Sequence, residues 1–507
     1  MESAKVHHMT PEQPAFMAKV PNNKALMLDE KLLFEQSTKG RMGVDLPALK
    51  GTKSRTGLAE RAKVGLPEVS EPQVVRHFVR LSQKNYSIDG GLFPLGSCTM
   101  KHNPRLNEKM ARLPGFARIH PMQPDSTVQG ALALMHDLSH WLTTLTGLPG
   151  ITLTPAAGTH GELTGMMVIR KAHEAAGKPR KIVLVPDSAH GTNPATAVTC
   201  GYTTYPIPTN EKGHVDMAAF TKAVDELGED IAAFMLTNPS TCGLFEPDIK
   251  NIADKLHSIG AWFYCDGANF NAIVGKVRPG DLGVDVMQFN LHKTFSTPHG
   301  GGGPGCGPVV VSQKLIPYLP VPRVEKKGNT YSVVTKDATS IGRIKGFNGQ
   351  FGMMVRALTY MLSHGADGLQ KVAEDAVINA NYILAHLKDT YHVPFKSTCM
   401  HECLLTDKRQ KETGVTTMDI AKSLIEHGYH PMTVYFPLVV QGAMLIEPTE
   451  TETKETLDEF IATMKKIAWD AANGNADALH ANPVSAPARR LDEVRAARQP
   501  VLRWQTA

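Results

Sequence analysis

Long apolar runs are missing from this 507-residue chain. Its most apolar stretch, 435–446, is short and broken by Pro437, Gln441 and Gly442, so it cannot span a bilayer. Cysteine is scarce too, with seven residues at positions 98, 200, 242, 265, 306, 399 and 403. An odd, sparse set excludes a secreted disulfide framework and suits a reducing compartment. Charge of one sign is nearly absent in excess: 54 Lys and Arg against 49 acids leave +5. That is too little to imply a nucleic-acid partner. Gly (43) and Pro (34) are near average usage, which excludes collagen-like and broadly disordered chains. The opening residues, MESAKVHHMTPEQPAFMAKVPNN, hold neither an apolar signal core nor an arginine-rich transit pattern. The expectation is a cytoplasmic enzyme with no membrane and no nucleic-acid partner.

The residues present fall into four regions. Residues 1–66 have mixed charge and little periodicity, and are expected to form an extended arm. From Val128, the spacing of Leu132, Met135, Leu138, Trp141, Leu142 and Leu145 predicts a helix that Gly147 and Pro149 stop. Strand candidates lie beyond it at 181–185 (KIVLV), 233–237 (AFMLT), 261–266 (AWFYCD), 284–289 (VDVMQF) and 308–311. Between two of them Ile249, Ile252, Ala253, Leu256 and Ile259 form a helical stripe. Short apolar runs alternating with amphipathic helices predict an α/β fold whose mainly parallel sheet is covered on both faces. The expected divisions are a large domain over 67–335, a smaller α/β domain over 336–481 and a tail over 482–507.

Such sheets bind ligands at the carboxyl ends of their strands. There the chain places Ser188-Ala189-His190-Gly191, then Thr241, then Asp266-Gly267-Ala268, then Asn290-Leu291-His292-Lys293. An imidazole, a hydroxyl, a carboxylate and an amine at one sheet edge match the needs of pyridoxal phosphate (PLP), which requires a lysine amine for its aldehyde and an acid for its ring nitrogen. The segment PAAGTHGE (155–162), ahead of a helix through 167–176, supplies backbone N–H groups for a phosphate. Taken singly, Lys293 reads as a surface lysine, Asp266 as a turn former and His190 as a loop histidine; their order along the sheet gives the set its meaning. The run His299–Gly305 lacks the ending of a P-loop and the spacing of a dinucleotide fingerprint, and is expected to let backbone approach the cofactor. Cys399-Met400-His401-Glu402-Cys403 lacks the second ligand pair of structural zinc, so no metal is expected.

The run NLHKTFSTPHGGGGPGCG (290–307) resembles the lysine signature of the glycine cleavage system P-protein family. LGSCTMKHNP (95–104), SAHGTNPA (from Ser188), DGANFNA (from Asp266), VQGALALM, FNGQFG, PTETETKETLDEF and the terminal PVLRW extend the likeness over about 94–504. In length and in carrying the lysine, the chain is similar to the PLP-bearing half, subunit 2 of the split form. The resemblance implies PLP fold type I, with Lys293 as the attachment lysine, Asp266 beside the ring nitrogen and His190 stacked on the ring. It places Gly158 and Thr159 at the phosphate, with Thr241 and Ala268 at the cofactor. Thr159 stands where the family has a smaller residue, and Cys403 where it often has an aromatic one. The implied reaction decarboxylates glycine and transfers the aminomethyl group to the lipoyl arm of H-protein. The implied partner is subunit 1, in a heterotetramer with two copies of each. Two alternatives stay open: another fold-type-I PLP enzyme, such as an aminotransferase or amino-acid decarboxylase, and a non-catalytic scaffold subunit.

Overall fold

A computed structural model describes residues 30–44, 47, 65–300 and 305–503. Most of the expected arm, Gly301–Gly303 of the glycine run and the terminal Trp504 lie outside the described residues. The chain divides into two compact units, one of residues up to Gly90 together with those from Ala481, the other Gly91–His480.

In the first unit a helix, Glu71–Gln83, starts where Gln73 Oε1 accepts from the Ser70 N–H at 3.0 Å. Glu30 reaches His77 Nδ1 at 2.8 Å and pairs with Arg80, and the Arg80 guanidinium holds its carboxyl down at about 2.

The second unit is built on a seven-stranded sheet. Its strands are β1 (Gly150–Thr152), β2 (Ile182–Pro186), β3 (Thr203–Ile207), β4 (Ile231–Thr237), β5 (Trp262–Gly267), β6 (Val286–Phe289) and β7 (Val309–Val311). The spatial order is β1-β7-β6-β5-β4-β2-β3. β3, β2, β4, β5 and β6 run parallel, while β7 is antiparallel to both β6 and β1. β4 is buried at every residue, as a central strand covered on two faces must be.

Helices supply both covers. One face packs against α1 (Gln129–Thr146), α4 (Met217–Leu227) and α5 (Ile249–Ser258), through Leu138, Leu142, Phe220, Ile252 and Leu256. The other packs against α2 (Gly158–Ala175) and α3 (Thr192–Thr199), through Met166, Ile169 and Ala197. α1 ends at Gly147 with φ +70, the left-handed cap that its sequence position predicts. The five anticipated strands and the 249–259 stripe all form, within a residue or two of the expected bounds. β1 and β3 were not anticipated. β1 is three residues long, and β3 (TTYPI) is an edge strand with mostly exposed side chains, so neither carries an apolar run.

A hairpin of β8 (Arg323–Lys327) and β9 (Thr330–Val334) comes next. α6 (Phe351–Leu387) is broken at Gly365, where φ is +64. Beyond it, β10 (Cys403–Thr406), β11 (Thr433–Val434) and β12 (Ala443–Ile446) form an antiparallel sheet in the order β10-β12-β11. α7 (Thr417–Glu426) and α8 (Lys454–Ala472) cover it with Ile420, Leu424, Phe460 and Met464. Among the described residues, no helix is long and apolar enough to cross a membrane.

Candidate active site

The carboxyl ends of β2, β4, β5 and β6 open onto one cavity of about 480 Å3. Its lining includes Gly158, Thr159, His190, Thr241, Asp266, Ala268 and Lys293, so the residues expected at the cofactor meet in one place.

β6 ends at Phe289, and the turn Leu291–Thr294 then carries Lys293. The Lys293 amine donates to the carbonyl of Ser97 at 2.7 Å, a neutral partner. Burial pushes the nearby His292 down to about 3 and His299 to about 4, so both rings stay neutral beside the amine.

Asp266 sits at the end of β5 and is almost fully buried. Its Oδ1 accepts from the Ala268 N–H at 2.9 Å and from Gln288 Nε2, and its Oδ2 accepts from Asn193 Nδ2 at 3.0 Å. Tyr264 in turn donates to Gln288 Oε1. These contacts hold the carboxylate in one orientation.

α2 begins at Gly158 in the cavity wall, and its N-cap, Ala157, offers no side-chain cap. The first amides of an eighteen-residue helix are thus left for an anion. Close approach requires glycine here. A Cβ at Gly158 would lie 2.1 Å from Asn290 Oδ1, and one at Gly307 would lie 2.1 Å from the Ala157 carbonyl. The hydroxyl of Thr237, also in the lining, is buried and has no hydrogen-bond partner among the described residues. Amine, carboxylate and free helix start therefore fit PLP.

The Thr241 hydroxyl donates to the Ser188 carbonyl at 2.5 Å, leaving only its lone pairs for a ligand. The Lys101 amine, from the sequence motif 95–104, is buried and engaged with Asn271, Thr294 O, Tyr360 and Glu450.

Sequence reasoning missed the lining residues Glu162, Ser97, Cys98 and Phe436, and the bridge from Asn193 to Asp266 behind the lining. It also missed the group His401, Glu402 and Glu447, all fully buried, whose ligand-type atoms lie within 4.8 Å of one another. Glu402 accepts from Ser97 N at 2.6 Å, and Glu447 from Thr99 N at 2.8 Å. Cys399 and Cys403, which flank His401 and Glu402 in the chain, are buried free thiols. The only early hint was the HE pair within the 399–403 motif.

The strand order and the Lys293–Asp266 arrangement define the fold-type-I class of PLP-dependent enzymes. Residues 158–396 match the family described as aminotransferase class-V, and residues 372–487 match glycine dehydrogenase, C-terminal domain. Among solved structures, a glycine decarboxylase (P-protein) of the glycine cleavage system in inhibitor-bound form superposes with a TM-score of 0.68 at 19% identity. That match covers 82% of this chain and 93% of the other. A cysteine desulfurase from Thermococcus onnurineus superposes at 0.58 with 14% identity, over 75% and 95% of the two chains. Both likenesses are of fold. In sequence, the chain is 59% identical to a probable glycine dehydrogenase (decarboxylating) subunit 2 of Caulobacter vibrioides, over 95% of this chain and 93% of that protein. It is 52% identical to a protein of the same name from Listeria innocua, over 94% and 98%. The chain belongs to the glycine dehydrogenase (decarboxylating) subunit 2 family.

Proposed function

We propose that this protein is the PLP-bearing subunit of a glycine decarboxylase, which releases CO2 from glycine and passes the aminomethyl group to the lipoyl disulfide of H-protein. The observation that carries the reading is the Lys293 amine and the Asp266 carboxylate in one cavity with the uncapped start of α2. It is supported by kinship to subunit 2 proteins over nearly the whole chain.

When bound, PLP supplies an electron sink for the pair left by CO2. The chain's residues do the rest. Lys293 would be the attachment point, and the first amides of α2, at Gly158 and Thr159, would receive the phosphate. Asp266, fixed by Ala268, Gln288 and Asn193, would face the ring nitrogen and stabilise a proton there. His190 presents its ring to the cavity, and Phe436 packs edge-on against it at 5.7 Å between centroids. Phe436 and the neutral His292 in the lining give the reacting carbon a weakly solvated surround.

The proposal extends to assembly. Subunit 1 is the expected partner, in a heterotetramer of two copies each, with lipoylated H-protein as acceptor and the cytoplasm as location. It extends also to domain limits: a cofactor domain over 67–335, supported by the sheet within 150–311, and a smaller domain over 336–481, supported by the sheet within 403–446. The test is expression of the chain with and without subunit 1, then an assay of glycine–bicarbonate carbon exchange with lipoylated H-protein. Exchange only in the paired preparation is expected. Full exchange by the isolated chain overturns the partner requirement, and none in either overturns the activity.

A further inference from the structure

The sequence around Cys399–Cys403 predicts no metal, for want of a second ligand pair. Folding supplies a third ligand from another strand. The register that pairs Cys403 of β10 with Ile446 of β12 sets Glu402 and Glu447 opposite each other at the next step. His401 precedes Glu402, and the ligand-type atoms of the three lie within 4.8 Å of one another. All three side chains are fully buried.

His401 points to an occupant. Neither of its ring nitrogens has a hydrogen-bond partner among the described residues, whereas a buried imidazole normally finds one. Its Nε2 stands 3.6 Å from Glu447 Oε1, too far for a hydrogen bond. Two ligands of one tetrahedral zinc stand about 3.4 Å apart, given bonds of about 2.1 Å to nitrogen and oxygen. Charge gives a separate reason. Like charges directly opposite on paired strands repel, and here they are buried as well. Among the described residues no lysine or arginine forms an ion pair with either carboxyl. Lys101 is taken by Glu450, and Lys293 acts on both acids only from a distance, its amine bound to the Ser97 carbonyl. A divalent cation held by one neutral imidazole and two carboxylates leaves no net charge.

We propose that His401, Glu402 and Glu447 hold a structural zinc ion, through His401 Nε2 and one oxygen of each carboxylate. An imidazole in the set favours zinc over magnesium or calcium. Donors behind the ligands fix their direction. Ser97 gives Glu402 its N–H at 2.6 Å and its hydroxyl at 3.0 Å, and Thr99 gives Glu447 its N–H at 2.8 Å and its hydroxyl at 2.5 Å. The ion lies behind the cofactor cavity, because Ser97 and Asn269 line that cavity and both contact Glu402. It ties the β10–β12 pair to the loop whose Ser97 carbonyl receives Lys293. Without the ion the carboxyls keep their contacts to Ser97 and Thr99, so the loop's hydrogen bonds do not depend on it. The site is separate from the decarboxylase reading and stands or falls without it.

The experiment is metal analysis and zinc X-ray absorption on the full chain, stripped with a chelator, dialysed against zinc and desalted. One zinc per chain is expected, with a shell of one imidazole and oxygen ligands at about 2.0 Å. His401→Gln and Glu447→Gln should each lose the ion. Thr99→Val, which removes a donor from Glu447 Oε1, should weaken zinc binding by about 10–100-fold. Circular dichroism identifies any variant that fails to fold, and the wild-type shell decides without them. A folded wild type that retains no zinc overturns the site and shows that protons balance the two acids instead. Sulfur in the shell, or unchanged zinc in a folded His401→Gln, also overturns it.

Discussion

The amine of Lys293 donates to the carbonyl oxygen of Ser97, 2.7 Å away in space and 196 residues earlier in the chain. Ser97 has φ +59 and Thr99 φ +50, a region that side chains other than glycine's occupy at a cost. Three acids from the other end of the unit hold the loop in that form: Glu402 takes Ser97, Glu447 takes Thr99 and Glu450 takes Lys101. The carbonyl that positions Lys293 is thereby set by a carboxyl group 305 residues away.

Replacing Glu402 with Ala should destabilise the protein by about 1–3 kcal/mol, because the half-buried N–H and hydroxyl of Ser97 both lose their acceptor. Burial and the neighbouring Glu447 push Glu402 upward. Glu402→Gln should then restore most of the loss. Urea midpoints of the two variants decide the matter, and equal destabilisation would show that shape rather than hydrogen bonding is at stake.

Lys293→Ala should abolish covalent PLP attachment and turnover while leaving the fold intact. Only a primary amine can take the aldehyde, and the lost contact to Ser97 is a single hydrogen bond. Borohydride reduction of the wild type and subsequent peptide mapping should label Lys293. Label at another lysine would move the site.

Asp266→Asn should lower glycine exchange by at least about 100-fold while PLP remains bound. The amide keeps the shape that Gln288 and Asn193 surround but not the charge. Exchange rate and cofactor content, measured on the same preparation with subunit 1 and H-protein present, should separate the two effects. Near-normal exchange would make Asp266 a structural residue.

Burial raises Glu452 to about 7 from an ordinary value of 4.5. Between those values the folded chain holds a proton that the unfolded chain has released, so this group's contribution to stability falls as pH rises through the window. Glu452→Gln has no such slope. Its stability relative to wild type should climb by about 1–2 kcal/mol across that range and stay level above it, the half-exposed position limiting the size. Urea titrations at a series of pH values give the difference directly, and a constant difference would contradict the shift.

The strands and most of the cofactor cavity were legible in the sequence because their signals are local. An apolar run such as 233–237 announces a buried strand by itself, and the residues just past each parallel strand fall at one edge of the sheet by topology alone. His190, Thr241, Asp266 and Lys293 are gathered in that way from chain order. The P-protein resemblance added roles that periodicity cannot supply. Short or exposed strands escaped, since β1 has three residues and β3 has few buried side chains to mark it. Tertiary structure alone decided the partners. Nothing near Ser97 in the chain points to Glu402, 305 residues on, and the sequence around His401 gives no sign of Glu447. Hydrogen bonds form between whatever groups packing brings within about 3 Å, and chain spacing carries no record of pairs that the sheet and helices assemble only when they close.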